Sequence, residues 1–147
     1  MKEGPILLIE DNPDDQKLTL RALKKNNIPN EVVVVEDGAQ ALDYLFGAQG
    51  LPMRLGDKVP ALVLLDLKLP KVDGLAVLTR LRTERRTRTV PVVVLTSSRE
   101  DQDVAKSYEL GANSYVRKPV DFIEFVETAR QLGTYWLILN EQPPLAG

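Results

Sequence analysis

The 147-residue chain contains no cysteine and no histidine. Without cysteine there are no disulfides, no thiolate–zinc sites and no thiol nucleophile. Without histidine there is no Ser-His-Asp machinery, no imidazole general base and no His-ligated metal. Any metal must then be a hard cation on oxygen ligands. A large excess of either charge is also lacking. The chain has 19 Lys and Arg against 21 Asp and Glu, a net charge of −2, which makes no electrostatic case for nucleic acid or an anionic membrane. Basic residues do gather over 80–88, RLRTERRTR. No aromatic interleaves them, so the stretch reads as a solvated helix end and loop. No apolar run approaches a membrane span and the N-terminus carries no signal-peptide pattern, so a cytoplasmic protein is expected.

What is present is ordinary globular composition, 44% hydrophobic and 27% charged. The length suits one domain with a proper core, expected over residues 4–140, with 141–147 as an irregular tail carrying two prolines. Apolar runs at 5–9, 31–35, 61–65, 90–95 and 114–117 read as strands. Pro91 sits near the start of its run, where a missing donor is tolerated. Helical patterns lie between and after them. The first spans 12–27, with Asn12 as N-cap, Pro13 at the first helical position, and Leu20 and Leu23 as apolar spacing. The second, 38–46, carries the stripe Ala41, Leu42, Leu45 and Phe46. Leu75, Leu78 and Leu81 mark the third. The fourth, 99–110, turns Val104, Ala105 and Tyr108 inward and ends at Gly111. Asp121 caps the last, where Phe122, Phe125, Val126, Ala129, Leu132 and Trp136 share a face. The stretch 47–60, rich in Gly and Pro, reads as a loop. Continuous apolar strands imply a parallel sheet covered on both faces. The expectation is an α/β, flavodoxin-like, doubly wound (βα)5 fold with a five-stranded parallel sheet in the order 2-1-3-4-5.

In that order strands 1 and 3 are central neighbours, so Glu10, Asp11 and Asp66 converge at their C-terminal ends. Three carboxylates in one cleft repel one another and lose hydration unless some are protonated or a cation neutralises them. Mg²⁺ takes one or two carboxylates plus phosphate and keeps several waters. A carboxylate beside such an ion is a candidate nucleophile for an aspartyl phosphate, and Asp66 is that candidate. Lys118 would supply positive charge to the phosphoryl oxygens and the Thr96 hydroxyl a hydrogen bond. Singly, each has a plain alternative: a solvated turn for Glu10 and Asp11, a loop acid for Asp66, a helix cap for Thr96, a surface charge for Lys118. Jointly they occupy the C-terminal ends of four different strands.

These residues resemble a response-regulator receiver domain of the CheY type. The acid pair Glu10-Asp11 follows ILLI. Asp66 is followed by Leu69-Pro70-Lys71-Val72-Asp73-Gly74, Thr96-Ser97 follows an apolar strand, and Lys118-Pro119 follows SYVR. The resemblance implies that Asp66 accepts phosphate from a histidine kinase. It implies that Asp11, Asp66 and the Lys68 carbonyl ligate Mg²⁺, with Glu10 acting through water. It implies that Thr96, Ser97 and Lys118 contact the phosphoryl group, that Thr96 and Tyr115 form a switch, and that Lys118-Pro119 is a cis peptide. The surface of helix 4, strand 5 and helix 5 would report the change. The long 47–60 loop and the C-terminal run LGTYWLILNE followed by Pro143-Pro144 further resemble the single-domain response regulators of cyanobacterial phytochromes, which implies a phytochrome-type kinase.

The C-terminal run is apolar all round its helix, yet a surface helix buries only one face on its own core. A partner face is expected, such as a homodimer, drawing on Tyr115, Phe122, Tyr135, Trp136, Ile138 and Leu139. The alternative is that the run folds back on its own domain. Rival functions remain. A phosphatase or phosphotransferase with an aspartyl nucleophile commonly carries a second Asp two residues on, where this chain has Lys68. A flavodoxin-like module needs a Ser/Thr/Gly loop after strand 1, where this chain has EDNPDD. A receiver that never takes phosphate would lack site residues that are all here. The expected role is a phosphoacceptor in signalling, not an enzyme, with no nucleic-acid or membrane partner.

Overall fold

The five strongest apolar runs form one parallel sheet: β1 (Ile6–Ile9), β2 (Val32–Val35), β3 (Leu62–Leu65), β4 (Val92–Thr96) and β5 (Ser114–Arg117), in the order β2-β1-β3-β4-β5. The computed structural model describes residues 4–47, 59–97, 100–118 and 121–141. Helices α1 (Pro13–Lys25), α2 (Gly38–Phe46), α3 (Gly74–Thr83), α4 (Asp101–Glu109) and α5 (Phe122–Gly133) alternate with the strands, and a π-helical segment, Thr134–Leu139, continues α5. The doubly wound order expected from the pattern is the one found. β5 has the expected bounds, and the other four strands begin one or two residues later than expected, with β4 also ending one later.

Alternation along each strand builds a core on both faces. Leu7, Ile9, Val63, Leu65, Val92 and Val94 pack with Leu45, Val77, Leu78 and Leu81 from α2 and α3. Ile6, Leu8, Leu62, Leu64, Val93 and Leu95 pack on the other face with Ala22, Leu23, Phe125 and Ala129 from α1 and α5 and Leu137 from the π-helical segment. Because β1 and β3 are covered on both sides, every one of their residues is buried, which is why they read as unbroken apolar runs.

Polar caps set where four helices begin. Asn12 Oδ1 accepts from the amides of Asp14 and Asp15 at 2.9 and 3.1 Å, and Pro13 occupies the first turn as expected. Asp37, Asp73 and Asp121 accept from the amides of Gln40, Ala76 and Glu124 at 2.7, 3.0 and 2.8 Å. Gly111, at φ +103°, follows α4 in the conformation glycine favours.

Three readings of the pattern are corrected. On α4, Ala105 and Tyr108 point outward and Ser107 is the buried residue. A serine can take that place because its hydroxyl donates to the Asp103 carbonyl at 2.7 Å, leaving no unpaired polar group. On α1, Leu20 is exposed while Thr19, Ala22 and Leu23 face the core. In the basic stretch, Arg82 is half-buried instead of solvated. Its guanidinium donates to Gly111 O at 2.8 and 2.9 Å, Val90 O at 2.7 Å, Arg88 O at 3.1 Å and Asn113 Oδ1 at 2.9 Å. One side chain thereby ties α3 to the start of β4 and the turn before β5. Most of the 47–60 loop, the first residue of the expected fourth helix, the Lys118-Pro119 peptide and the tail beyond 141 lie outside the described residues. Among the described residues, no helix is long and apolar enough to cross a membrane.

Candidate functional site

The site begins with strand register. Ile9 pairs with Leu65 across β1 and β3. The next residues, Glu10 and Asp66, keep the ladder going for one step, with Glu10 N donating to Val35 O and Asp66 N to Ile9 O, both at 3.0 Å. The sheet thus delivers two carboxylates side by side at its C-terminal edge, where ligands of open α/β sheets bind. Both are nearly inaccessible, Glu10 at 2% and Asp66 at 7%. Asp11, one residue further, stands in solvent, and one oxygen from each of the three acids lies within 4.8 Å of the others.

Lys118 enters from the end of β5, anchored by its amide on Thr96 O at 2.7 Å. Its ammonium lies 2.5 Å from Glu10 Oε1, 2.8 Å from Asp15 Oδ2 and 3.6 Å from Asp66 Oδ2. Burial alone would lower its pKa, but the hydrogen bonds to Asp15 and Glu10 and the charge of Asp66 outweigh that, so it is raised and the amine stays protonated. Glu10 meets the opposite balance. Burial, reinforced by the Asp66 charge, pushes its carboxyl up to about 7, against the opposing pull of Lys118. Four acids around one ammonium leave a surplus of negative charge. All the donors are hard oxygens, so the residues present fit a divalent cation such as Mg²⁺ or Mn²⁺.

Thr96, fully buried, closes β4 beside this cluster, and Ser97 follows it in solvent. Tyr115 pairs with Val94 in the register of β4 and β5. It is half-buried against the core on the α2–α3 side. The Lys68 amide donates to Asp66 Oδ1 at 3.3 Å, while its side chain extends outward. Of the expected partner face, Phe122 is half-buried beneath Arg21, whose guanidinium carbon sits 4.4 Å from the ring centre. Trp136 packs partly on the core, and Tyr135, Ile138 and Leu139 are exposed.

Two contributors were missed by reading the pattern. Asp15 is the second hydrogen-bond partner of Lys118. The signal was available, because Asn12 as N-cap places Asp15 in the first turn of α1, directly after the acid pair. Gly74 carries no side chain for a steric reason: a Cβ there would lie 2.3 Å from Asp66 O and 2.6 Å from Leu67 Cα. Its amide also donates to Leu67 O at 3.0 Å. The N-terminus of α3 is pressed directly onto the backbone that holds Asp66.

Residues 6–130 match the response regulator receiver domain family. The chain is 41% identical over 138 residues to the probable methanogenesis regulatory protein FilR2 of Methanothrix harundinacea, covering 94% of this chain and 86% of FilR2. It is 36% identical over 132 residues to response regulator Rcp1 of Synechocystis, covering 90% and 88% of the two chains. A Mn²⁺-bound structure of Rcp1 superposes with a TM-score of 0.82 at 34% identity, covering 96% of this chain and 99% of Rcp1. The phosphorylated cyanobacterial phytochrome response regulator RcpA superposes with a TM-score of 0.85 at 34% identity, covering 97% and 100%. The bacteriophytochrome response regulator AtBRR is 53% identical with a TM-score of 0.73, covering 96% and 100%. Strand order, the carboxylate cluster and these matches agree, and the chain belongs to the response regulator receiver domain family.

Proposed function

We propose that the chain accepts a phosphoryl group on Asp66 from the phosphohistidine of a histidine kinase and works as a signalling switch, not as a turnover enzyme. The observation that carries this is the Asp66 carboxylate, 7% exposed at the end of β3, with Lys118 Nζ 3.6 Å away and two further acids within 4.8 Å. A carboxylate oxygen of Asp66 forms the new O–P bond as the donor's N–P bond breaks. Lys118 is placed to donate to the phosphoryl oxygens, and the Thr96 hydroxyl and Ser97 stand at the neighbouring strand end. Glu10, Asp11 and Asp66, with the Lys68 carbonyl, would hold the divalent cation. That ion neutralises charge spread over the phosphoryl oxygens in a loose transition state. The backbone brace from Gly74 keeps Asp66 in place for the attack.

The phosphoryl group adds negative charge and acceptor oxygens next to Thr96. Drawing the Thr96 hydroxyl toward it opens room for Tyr115, giving a two-state element on the α4–β5–α5 surface. The kinase is of the phytochrome type, a reading supported by the names of RcpA and AtBRR. The chain works as a single receiver domain, with residues 4–140 as its core. It pairs as a homodimer through the exposed Tyr135, Ile138 and Leu139. Incubation with Mg²⁺ and acetyl phosphate, followed by intact-mass measurement, tests the acceptor role. One phosphoryl group is expected on the wild type and none on Asp66→Asn. An equal gain on that variant sinks the assignment. Faster transfer from a phytochrome-type kinase than from an unrelated one is the expected mark of the partner.

A further inference from the structure

Lys118, the first cation for the phosphoryl group, already divides its ammonium among three carboxylates. A phosphoryl group arriving on Asp66 adds further negative charge to a site that has a surplus of it. Among the described residues, Lys68 is the next cation in position to answer. Its amide is bonded to Asp66 Oδ1 at 3.3 Å, so the base of the side chain is fixed beside the acceptor. Its ammonium lies at the end of a flexible four-carbon stem, 63% exposed, and rests 3.5 Å from Asp103 Oδ2 on the first turn of α4. Lys68, Asp103 and Asp11, the last of these one of the three clustered acids, line one open cleft of about 490 Å³.

The helix on the other side of that pair buries little of itself. Ser107 is the single fully buried residue of α4, and its N-cap, Glu100, makes no side-chain capping bond, unlike the caps of the other four α-helices. Among the described residues, the ion pairs of Lys68 with Asp103 and of Arg117 with Asp101, the latter at 3.7 Å, reach its first turn. We propose that Lys68 is a second phosphoryl-binding cation, held in reserve by Asp103, and that its transfer from Asp103 to the phosphoryl oxygens unties the β3–α3 loop from α4. The exchange makes and breaks only ion pairs. It couples the acceptor to α4 by a route separate from Thr96 and Tyr115. This rests on Asp66 being the phosphoacceptor.

The test is a double-mutant cycle on the full chain with Lys68→Met, which keeps length and removes charge, and Asp103→Asn, which keeps shape. The Lys68 side chain is exposed while that of Asp103 is only 14% exposed, so the melting temperature of all four proteins is measured and rates are compared well below the lowest of them. The readout is the initial rate of phosphoryl gain by intact mass with acetyl phosphate and Mg²⁺, together with hydrogen exchange of α4 amides. Asp103→Asn should speed uptake about threefold by freeing the ammonium, and Lys68→Met should slow it by about the same factor. The double variant should be as slow as Lys68→Met. On phosphorylation, α4 exchange should rise in the wild type and not change further in Asp103→Asn. If Asp103→Asn acts equally with and without Lys68, or if neither change matters, the proposal is wrong while the acceptor role stands. If the wild type gains no phosphoryl mass, both readings fall.

Discussion

At the scale of single residues, Glu10 answers to two opposing demands. The 2.5 Å contact with Lys118 favours its anion, and burial beside Asp66 favours its proton. Its carboxyl is raised from 4.5 to about 7. The fold therefore favours the protonated form, and the stability this group contributes is complete below pH 4.5 and lost as pH rises through about 7. Lys118 is raised from 10.5, so its contribution is lost only above that value and leaves the lower window unaffected. Holding a divalent cation, directly or through water, would call for the ionised form of Glu10. Mg²⁺ affinity should strengthen about tenfold between about pH 6 and about pH 8, and Glu10→Gln should flatten that dependence. Isothermal titration at several pH values checks it. A pH-independent affinity in the wild type contradicts the assignment of Glu10 to the cation site.

Among the elements, the joints matter more than the helices and strands themselves. Gly74→Ala would drive a methyl group into the Asp66 carbonyl and the Leu67 Cα. It should cost about 1–3 kcal/mol in urea denaturation and slow phosphoryl uptake as well, because the displaced backbone is the one that holds the acceptor. Arg82 is a joint of a different kind. Arg82→Ala leaves the carbonyls of Gly111 and Val90 without their donor, at a cost of about 1–3 kcal/mol. Arg82→Lys should recover little of it, since a single ammonium cannot reproduce a fork of five donors. Rescue by lysine would mean that charge, and not geometry, is what the joint supplies. The caps at Asn12 and Asp121 were read from the pattern, while those at Asp37 and Asp73 emerge from the structure. Arg82 was not readable, because nothing local separates it from the solvated Arg85 and Arg88 beside it.

For the molecule as a whole, the C-terminal segment divides its apolar residues. Leu137 is buried and Trp136 partly so, which places the segment on its own domain. Tyr135, Ile138 and Leu139 are left 50, 55 and 66% exposed. The fold-back and the partner face are therefore compatible, served by different sides of one segment. Replacing both Ile138 and Leu139 with Glu should convert a dimer to a monomer in sedimentation without lowering the melting temperature, since neither side chain is in the core. A wild type that sediments as a monomer at high concentration, with and without a phosphate mimic, removes the dimer.

The strand order and the three acids at the strand ends follow from the pattern of the chain alone. Unbroken apolar runs such as ILLI and LVLL demand burial on both faces, and right-handed crossovers then leave few arrangements. How the charges are shared depends on the packing of separate elements. Asp15 meets Lys118 across 103 residues of chain. Lys68 meets Asp103 across the cleft between the β3–α3 loop and α4. Arg82 reaches a carbonyl 29 residues away. Such pairings depend on distances between separate elements, and burial of the intervening backbone, not any local pattern, sets those distances. The pattern of the chain placed Asp66 where chemistry gathers. Packing decided that Lys118 already serves it and that Lys68 pairs with Asp103.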